Sequence, residues 1–261
     1  MIESTSNPKV LYAWRLLQRK WRKREKRCVI EGFHLLEEAL RAGVSIEYVL
    51  ATPDALSAEP EIARRLDSRK VPVYKCTERV LQRVSDVQSP QGVVAVCQIP
   101  TVSSPYALKF CVLFLEDIQD PGNVGTIIRI AHAVGADAVY LTTTSADPFG
   151  PKCLRASMGS AFHIPLCTVE NQAAFCKKLP PGIPWYAAHM SGKSVFDVRL
   201  KAPFALALGN EGAGLGEGLL RHVHEQVSVP MPGGAESLNV SVACAVILYE
   251  ALRQFRQVAL L

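Results

Sequence analysis

Three short stretches of this chain combine residue types that packing alone does not require. The first runs from Asp117 to Arg129, DIQDPGNVGTIIR: Pro121-Gly122 makes a turn, Asn123 stands at a helix start, and Arg129 follows nearly two turns along. A helix N-terminus in that place favours an anion. By spacing alone, Asn123 serves equally well as a cap and Arg129 as the partner of a surface acid. The second stretch, LGNEGAGL (208–215), and the third, VPMPGGAESLN (229–239), each follow an apolar run. Glycines 209, 212, 214 and 216 supply positive φ or close backbone approach, and Ser237 or Asn239 can cap a helix that begins near residue 238. Either loop taken singly also reads as a tight turn.

Backbone amides and short polar side chains of this kind act when strands present them together. From Phe110 onward the apolar runs 110–116, 136–142, 163–169, 184–190, 204–210 and 225–230 read as strands, and 239–255 as a closing helix. Their near-continuous hydrophobicity predicts a mainly parallel sheet covered on both faces. In such sheets ligands bind outside the carboxyl ends of the strands, where all three stretches fall.

The first hundred residues alternate similarly. Short strands are expected at 28–31, 46–51, 71–76 and 92–98, with helices at 33–42, 58–67 and 77–84. The segment 99–106 carries turn and breaker residues without periodicity, which divides the chain into domains 1–100 and 107–261. The fold class is therefore α/β.

Charge is concentrated at the N-terminus. Residues 7–27 hold nine Lys or Arg (9, 15, 19, 20, 22, 23, 24, 26, 27) against the single acid Glu25, so they contribute +8 to a net charge of +5. Asn7, Pro8 and the apolar positions 10, 11, 14, 17 and 21 predict one basic amphipathic helix. Nucleic acid, a membrane surface or plain solvent each suit such a face.

Other classes are disfavoured. At 49% hydrophobic and 20% charged the composition is that of a soluble globular chain, the start lacks an apolar signal core, and no run approaches a membrane span; the expected location is the cytoplasm. The eight cysteines include no C-x-x-C pair and mostly lie in apolar runs, so reduced core thiols are expected rather than disulfides or a zinc site. His222 and His224 are read as structural, leaving no metal site expected. A dinucleotide dehydrogenase needs its glycine fingerprint after an early strand, whereas Gly212-x-Gly214-x-Gly216 comes late and lacks the spacing.

Taken together, DPGNVGTIIR, LGNEGAGL and VPMPGGAESLNVSVA resemble, in order, the three motifs of the SpoU/TrmH family of RNA ribose 2'-O-methyltransferases of the SPOUT superfamily. The likeness spans 110–255. NPKV, the basic helix and VIEGFHLLEEAL look like the family's N-terminal ribosomal-protein-L30e-like substrate-binding unit.

The resemblance implies S-adenosyl-L-methionine bound bent in a deep trefoil knot of the C-terminal domain, a homodimer, and an RNA substrate, with large-subunit rRNA favoured over tRNA. By motif matching, Leu208, Gly209, Asn210, Gly212, Val229, Met231, Ser237 and Leu238 would bind the cofactor. Arg129, Asn123, Glu211, Asn239 and Ser237 would form the catalytic set, with Arg129 taking part in activating the 2'-hydroxyl. An always-protonated guanidinium suits a bidentate phosphate clamp better than a base. A non-catalytic RNA-binding member of the same fold is the alternative, against which the retained polar residues argue.

Overall fold

The computed structural model describes residues 1–88, 90–101, 107–170, 175–176 and 179–259, with the side chains of 257–259 excluded. The proposed linker at 99–106 lies largely outside the described residues. The chain forms two compact units, one of Met1–Thr101 with Asp147–His163, the other of 102–146 with 164–261. The units are therefore not contiguous in sequence: Asp147–His163 sits within the C-terminal stretch yet clusters with the N-terminal residues.

In the first unit, helices α1 (Pro8–Leu16) and α2 (Arg19–Glu25) precede β1 (Arg27–Glu31), α3 (Phe33–Arg41), β2 (Ile46–Ala51), α4 (Pro53–Ala58), α5 (Pro60–Ser68), β3 (Val73–Lys75), α6 (Glu78–Val84) and β4 (Val93–Gln98). The sheet order is β1-β4-β2-β3, with β4 antiparallel to both neighbours and β2 parallel to β3. Helix α3 stops at Ala42, and Gly43 takes the positive φ (72°) that follows a helix end at low cost.

The expected single basic helix is two helices. Pro8 opens α1 and the Asn7 side chain accepts from the Lys9 amide at 3.0 Å, but Gln18 is extended and the chain turns there. Arg22 bridges the break. Its Nη1 donates to the carbonyls of Leu16 and Leu17, both at 2.7 Å, while Nε and Nη2 hold Asp147 Oδ2 at 2.8 and 2.7 Å. A cation thus satisfies carbonyls that the end of α1 leaves unpaired. Only 5% of Arg22 is exposed, so one of the nine cations is a structural strut. Arg27 pairs with Glu47, and Lys9 lies 4.6 Å from the Tyr74 ring centre.

The second unit contains β5 (Cys111–Leu115), α7 (Pro121–Val134), β6 (Ala138–Thr142), β7 (Leu166–Val169), β8 (Trp185–Ser194), β9 (Phe204–Leu208), β10 (Glu225–Ser228) and a C-terminal helix, Val240–Ala259. The expectation of a parallel sheet holds: the order is β10-β8-β9-β5-β6-β7 and every pairing is parallel. β5 and β9 are buried throughout, as the unbroken apolar runs require. Phe114 stacks on Phe175 at 5.1 Å between centroids, and the C-terminal helix packs on α7.

All eight cysteines are free, six buried and Cys167 and Cys176 half-buried, as expected of core thiols. Burial pushes the Cys28 thiol up to about 12 and Cys76 to about 11, which suppresses thiolate chemistry at both. His224 has a structural task, accepting the Trp185 amide at its Nδ1 at 2.9 Å. Among the described residues no cluster of three His, Cys, Asp or Glu is arranged for a metal, and no helix is long and apolar enough to cross a membrane.

Candidate active site

The topology places the first two motifs side by side. β5 and β9 are neighbours with Leu115 opposite Leu208, so the loops that leave their carboxyl ends emerge next to each other. The chain proceeds from β5 to β6 on one side, while β9 lies on the other. This is a switch point of the kind where open α/β sheets bind ligands.

The loop after β9 is fixed by its own asparagine. Asn210 exchanges backbone hydrogen bonds with Gly214 (3.0 and 2.9 Å), and its Oδ1 accepts the amides of Gly212 and Ala213. Its Nδ2 donates to the Asp117 carbonyl at 2.9 Å, joining the second motif to the first. Gly209 is obligatory here, because a Cβ would lie 2.4 Å from the Gly214 carbonyl carbon and oxygen.

Asn123 is not the cap of α7. Asp120 is, accepting the Asn123 amide at 2.9 Å, with Pro121 at the first helical position. The Asn123 side chain is thus available for long-range contacts. It donates from Nδ2 to Glu211 at 2.7 Å and accepts at Oδ1 from Asn239 Nδ2 at 2.9 Å. Asn239, rather than Ser237, caps the C-terminal helix: its Oδ1 accepts the Ser241 amide at 2.9 Å.

Beside this chain of hydrogen bonds lies a cleft of about 390 Å³. Of the predicted cofactor residues, Gly209, Asn210, Gly212, Val229, Met231, Ser237 and Leu238 line it, as do Glu211 and Asn239. Leu208 is fully buried within the sheet and is not among the lining residues. Arg129 is exposed on α7 and has no hydrogen bond or ion pair with any described residue. Neither Arg129 nor Asn123 lines the cleft; Asn123 reaches it only through Glu211 and Asn239.

Sequence reading missed one wall, made by Ala188, His189 and Met190. Between the pairs Gln226–Ala187 and Val227–Lys193 the register of β8 jumps, and residues 188–192 bulge out. Gly192 was the available signal. A Cβ there would fall 2.6 Å from the backbone of Gln226 and Val227, and glycine within a strand pattern marks a bulge or a close approach.

An all-parallel α/β sheet whose carboxyl-end loops enclose a largely apolar cleft with a few convergent polar groups defines an enzyme of the cofactor-binding α/β class. Residues 111–249 match the SpoU rRNA methylase family and residues 7–95 the MRM3-like substrate-binding domain. The chain belongs to the SpoU rRNA methylase family, as the motifs indicated. It is 37% identical over 250 residues to the Bacillus subtilis 23S rRNA (guanosine(2553)-2'-O)-methyltransferase RlmP, covering 95% of this chain and 97% of that protein. Similar solved structures include an AdoMet-bound rRNA methyltransferase from Sinorhizobium meliloti, with a TM-score of 0.85, 29% identity and 97% of each chain covered. Another is the SpoU methyltransferase AviRb from Streptomyces viridochromogenes in complex with AdoMet, with a TM-score of 0.84, 28% identity and coverage of 96% of this chain and 98% of that one.

Proposed function

We propose that this protein transfers a methyl group from S-adenosyl-L-methionine to a ribose 2'-hydroxyl of large-subunit ribosomal RNA. The observation that carries the reading is the Asn239–Asn123–Glu211 hydrogen-bond chain, which ties all three family motifs together at one cleft. A tRNA substrate is the alternative; the match to RlmP along nearly the whole chain favours rRNA.

The cleft fits the cofactor. Its volume lies within the ordinary range for small-molecule sites, about 300–1,000 Å³. Val229, Met231, Leu238 and Ile247 offer apolar surface, while the loop closed by Gly209 and Asn210 brings main-chain groups to the same cleft. We take Gly209, Asn210, Gly212, Val229, Met231, Ser237 and Leu238 as the binding set. Leu208 supports it from beneath: its carbonyl accepts the Glu116 amide and holds the strand end in place.

Bound there, the cofactor supplies a methyl group activated by a sulfonium. Transfer would form a new O–CH3 bond at the ribose and break the S–CH3 bond, leaving its electron pair on sulfur and the 2'-hydroxyl proton to be taken up nearby. Alignment of oxygen and carbon should provide much of the acceleration. Arg129, exposed and without a partner among the described residues, is suited to clamp the neighbouring phosphate bidentately, and a phosphate oxygen can then receive the proton. Asn123 acts as a positioning residue: it orients Glu211 and Asn239, whose polar groups meet the nucleotide, with Ser237 beside them.

On this reading residues 1–100 bind RNA and 107–261 form the methyltransferase domain, with its C-terminal part knotted in a trefoil as the family resemblance implies. The working form is a homodimer in the cytoplasm. The C-terminal helix leaves Val242 (49%) and Tyr249 (53%) exposed, which supports a partner on that face. Leu248, on the same helix, is fully buried in its own chain and belongs to the core. Mapping 2'-O-methyl positions in total RNA with and without the protein tests the function: one rRNA ribose should lose its methyl group. Loss confined to tRNA would select the alternative, and no loss anywhere would sink the reading.

A further inference from the structure

The sole acid of the basic segment is spent on one contact. Glu25 Oε1 accepts from Arg24 Nε and Nη2, both at 2.7 Å, and the Arg24 guanidinium lies 3.8 Å from the centre of the Trp21 ring. Arg15 and Lys20 stand 5.1 and 6.0 Å from the same ring. Trp21 is half-buried, one part packed on the core of the first unit, whereas the Arg24 side chain is 64% exposed.

An exposed cation normally gains little from being held in one orientation. Here the guanidinium is fixed by a carboxylate at one edge and an indole beneath. That arrangement presents a flat, pre-oriented cationic plane, with exposed Arg19, Lys20, Lys23 and Lys26 around it. Duplex RNA hides its bases, so phosphate contacts suffice to hold it; an unpaired base needs a stacking surface, and aromatic rings and guanidinium planes provide one. A membrane surface is the poorer fit, because none of the exposed large hydrophobic side chains among the described residues falls within 7–27.

We propose that the Trp21–Arg24 stack is a binding site for an unpaired nucleobase of the RNA substrate, while the surrounding cations hold the flanking phosphates. The basic helix pair then selects single-stranded or looped RNA over duplex, beyond simple charge attraction. The proposal rests on the RNA-methyltransferase reading above.

The test exploits the different salt behaviour of stacking and charge. Phosphate contacts set the slope of log affinity against log salt, by about 0.7 per phosphate on a single strand, whereas losing a base stack lowers affinity equally at every salt concentration. Wild type, Arg24→Lys and Trp21→Leu are titrated with a fluorescent single-stranded oligoribonucleotide and with an RNA duplex. Arg24→Lys keeps the charge and removes the plane. It should bind the single strand about 5- to 150-fold more weakly, the range of one base stack, with its salt slope and duplex affinity unchanged. Trp21→Leu should do the same. If it fails to fold, by circular dichroism, Arg24→Lys alone decides. Unchanged single-strand affinity for Arg24→Lys, or equal losses on both RNAs, would overturn the stacking site while leaving RNA binding intact. Failure of wild type to bind either RNA would overturn the RNA reading and this proposal with it.

Discussion

Asn239 Nδ2 donates to Asn123 Oδ1 at 2.9 Å across 116 residues of sequence. The same Asn123 amide donates to Glu211 at 2.7 Å, so one side chain uses both its oxygen and its nitrogen to hold two others. The orientation of the Asn123 amide is fixed by this pattern, since a flipped amide would set an oxygen against a carboxylate.

Asn123→Ala should reduce methyl transfer about 10- to 100-fold, the scale of losing a hydrogen bond to a charged group. Asn123→Asp should do more harm, because two carboxylates would then face each other. Cofactor affinity should change less than turnover in both, since Asn123 does not line the cleft. Single-turnover rates beside calorimetry with the cofactor product check this, and matched losses in both would refute a positioning role.

Arg129→Ala should abolish transfer and leave cofactor binding nearly intact. Arg129→Lys should also fail, because an ammonium cannot reproduce a planar two-point clamp. Substantial activity in the lysine variant would show that a point charge is enough.

Gly209→Ala forces a methyl group to within 2.4 Å of the Gly214 carbonyl. The loop must open, and cofactor affinity should drop at least about tenfold while the fold survives, one hydrogen-bond worth of free energy being sufficient for that loss. Unaltered affinity by calorimetry would show that the loop does not form the cradle wall.

Arg22 and its neighbours should separate cleanly. Arg22→Gln leaves Asp147 without its buried partner and should destabilise the protein by about 3–5 kcal/mol. Lys20, Lys23 and Lys26 changed together to Gln should leave urea midpoints almost unmoved but flatten the salt dependence of RNA binding. A triple variant with the wild-type slope would make those lysines a merely solvated face.

Tyr249→Glu should shift the protein toward monomer, since a charge on a half-exposed apolar face opposes burial against a second copy. Light scattering at micromolar concentration reads the outcome directly; a monomeric wild type would end the dimer proposal.

The sequence by itself determined the strands and their parallel class, because strands covered on both faces must be apolar at nearly every position, and 110–116 and 204–210 are. It also determined the family and most of the cleft: glycine, proline and asparagine sit at fixed offsets wherever a loop needs special backbone conformations, so LGNEGAGL and VPMPGGAESLN were legible as they stand. What pairs across long distances was decided only by the tertiary structure. Nothing local marks Arg22 as different from Lys23, yet one is buried on Asp147 and the other exposed, because the difference depends on a segment more than a hundred residues away. The break between α1 and α2 has no glycine or proline to announce it, and the carbonyls it leaves at Leu16 and Leu17 are taken up by that same Arg22. The wall at Ala188, His189 and Met190 exists because β8 slips against β10, and register between two strands is a property of the pair that neither sequence carries alone.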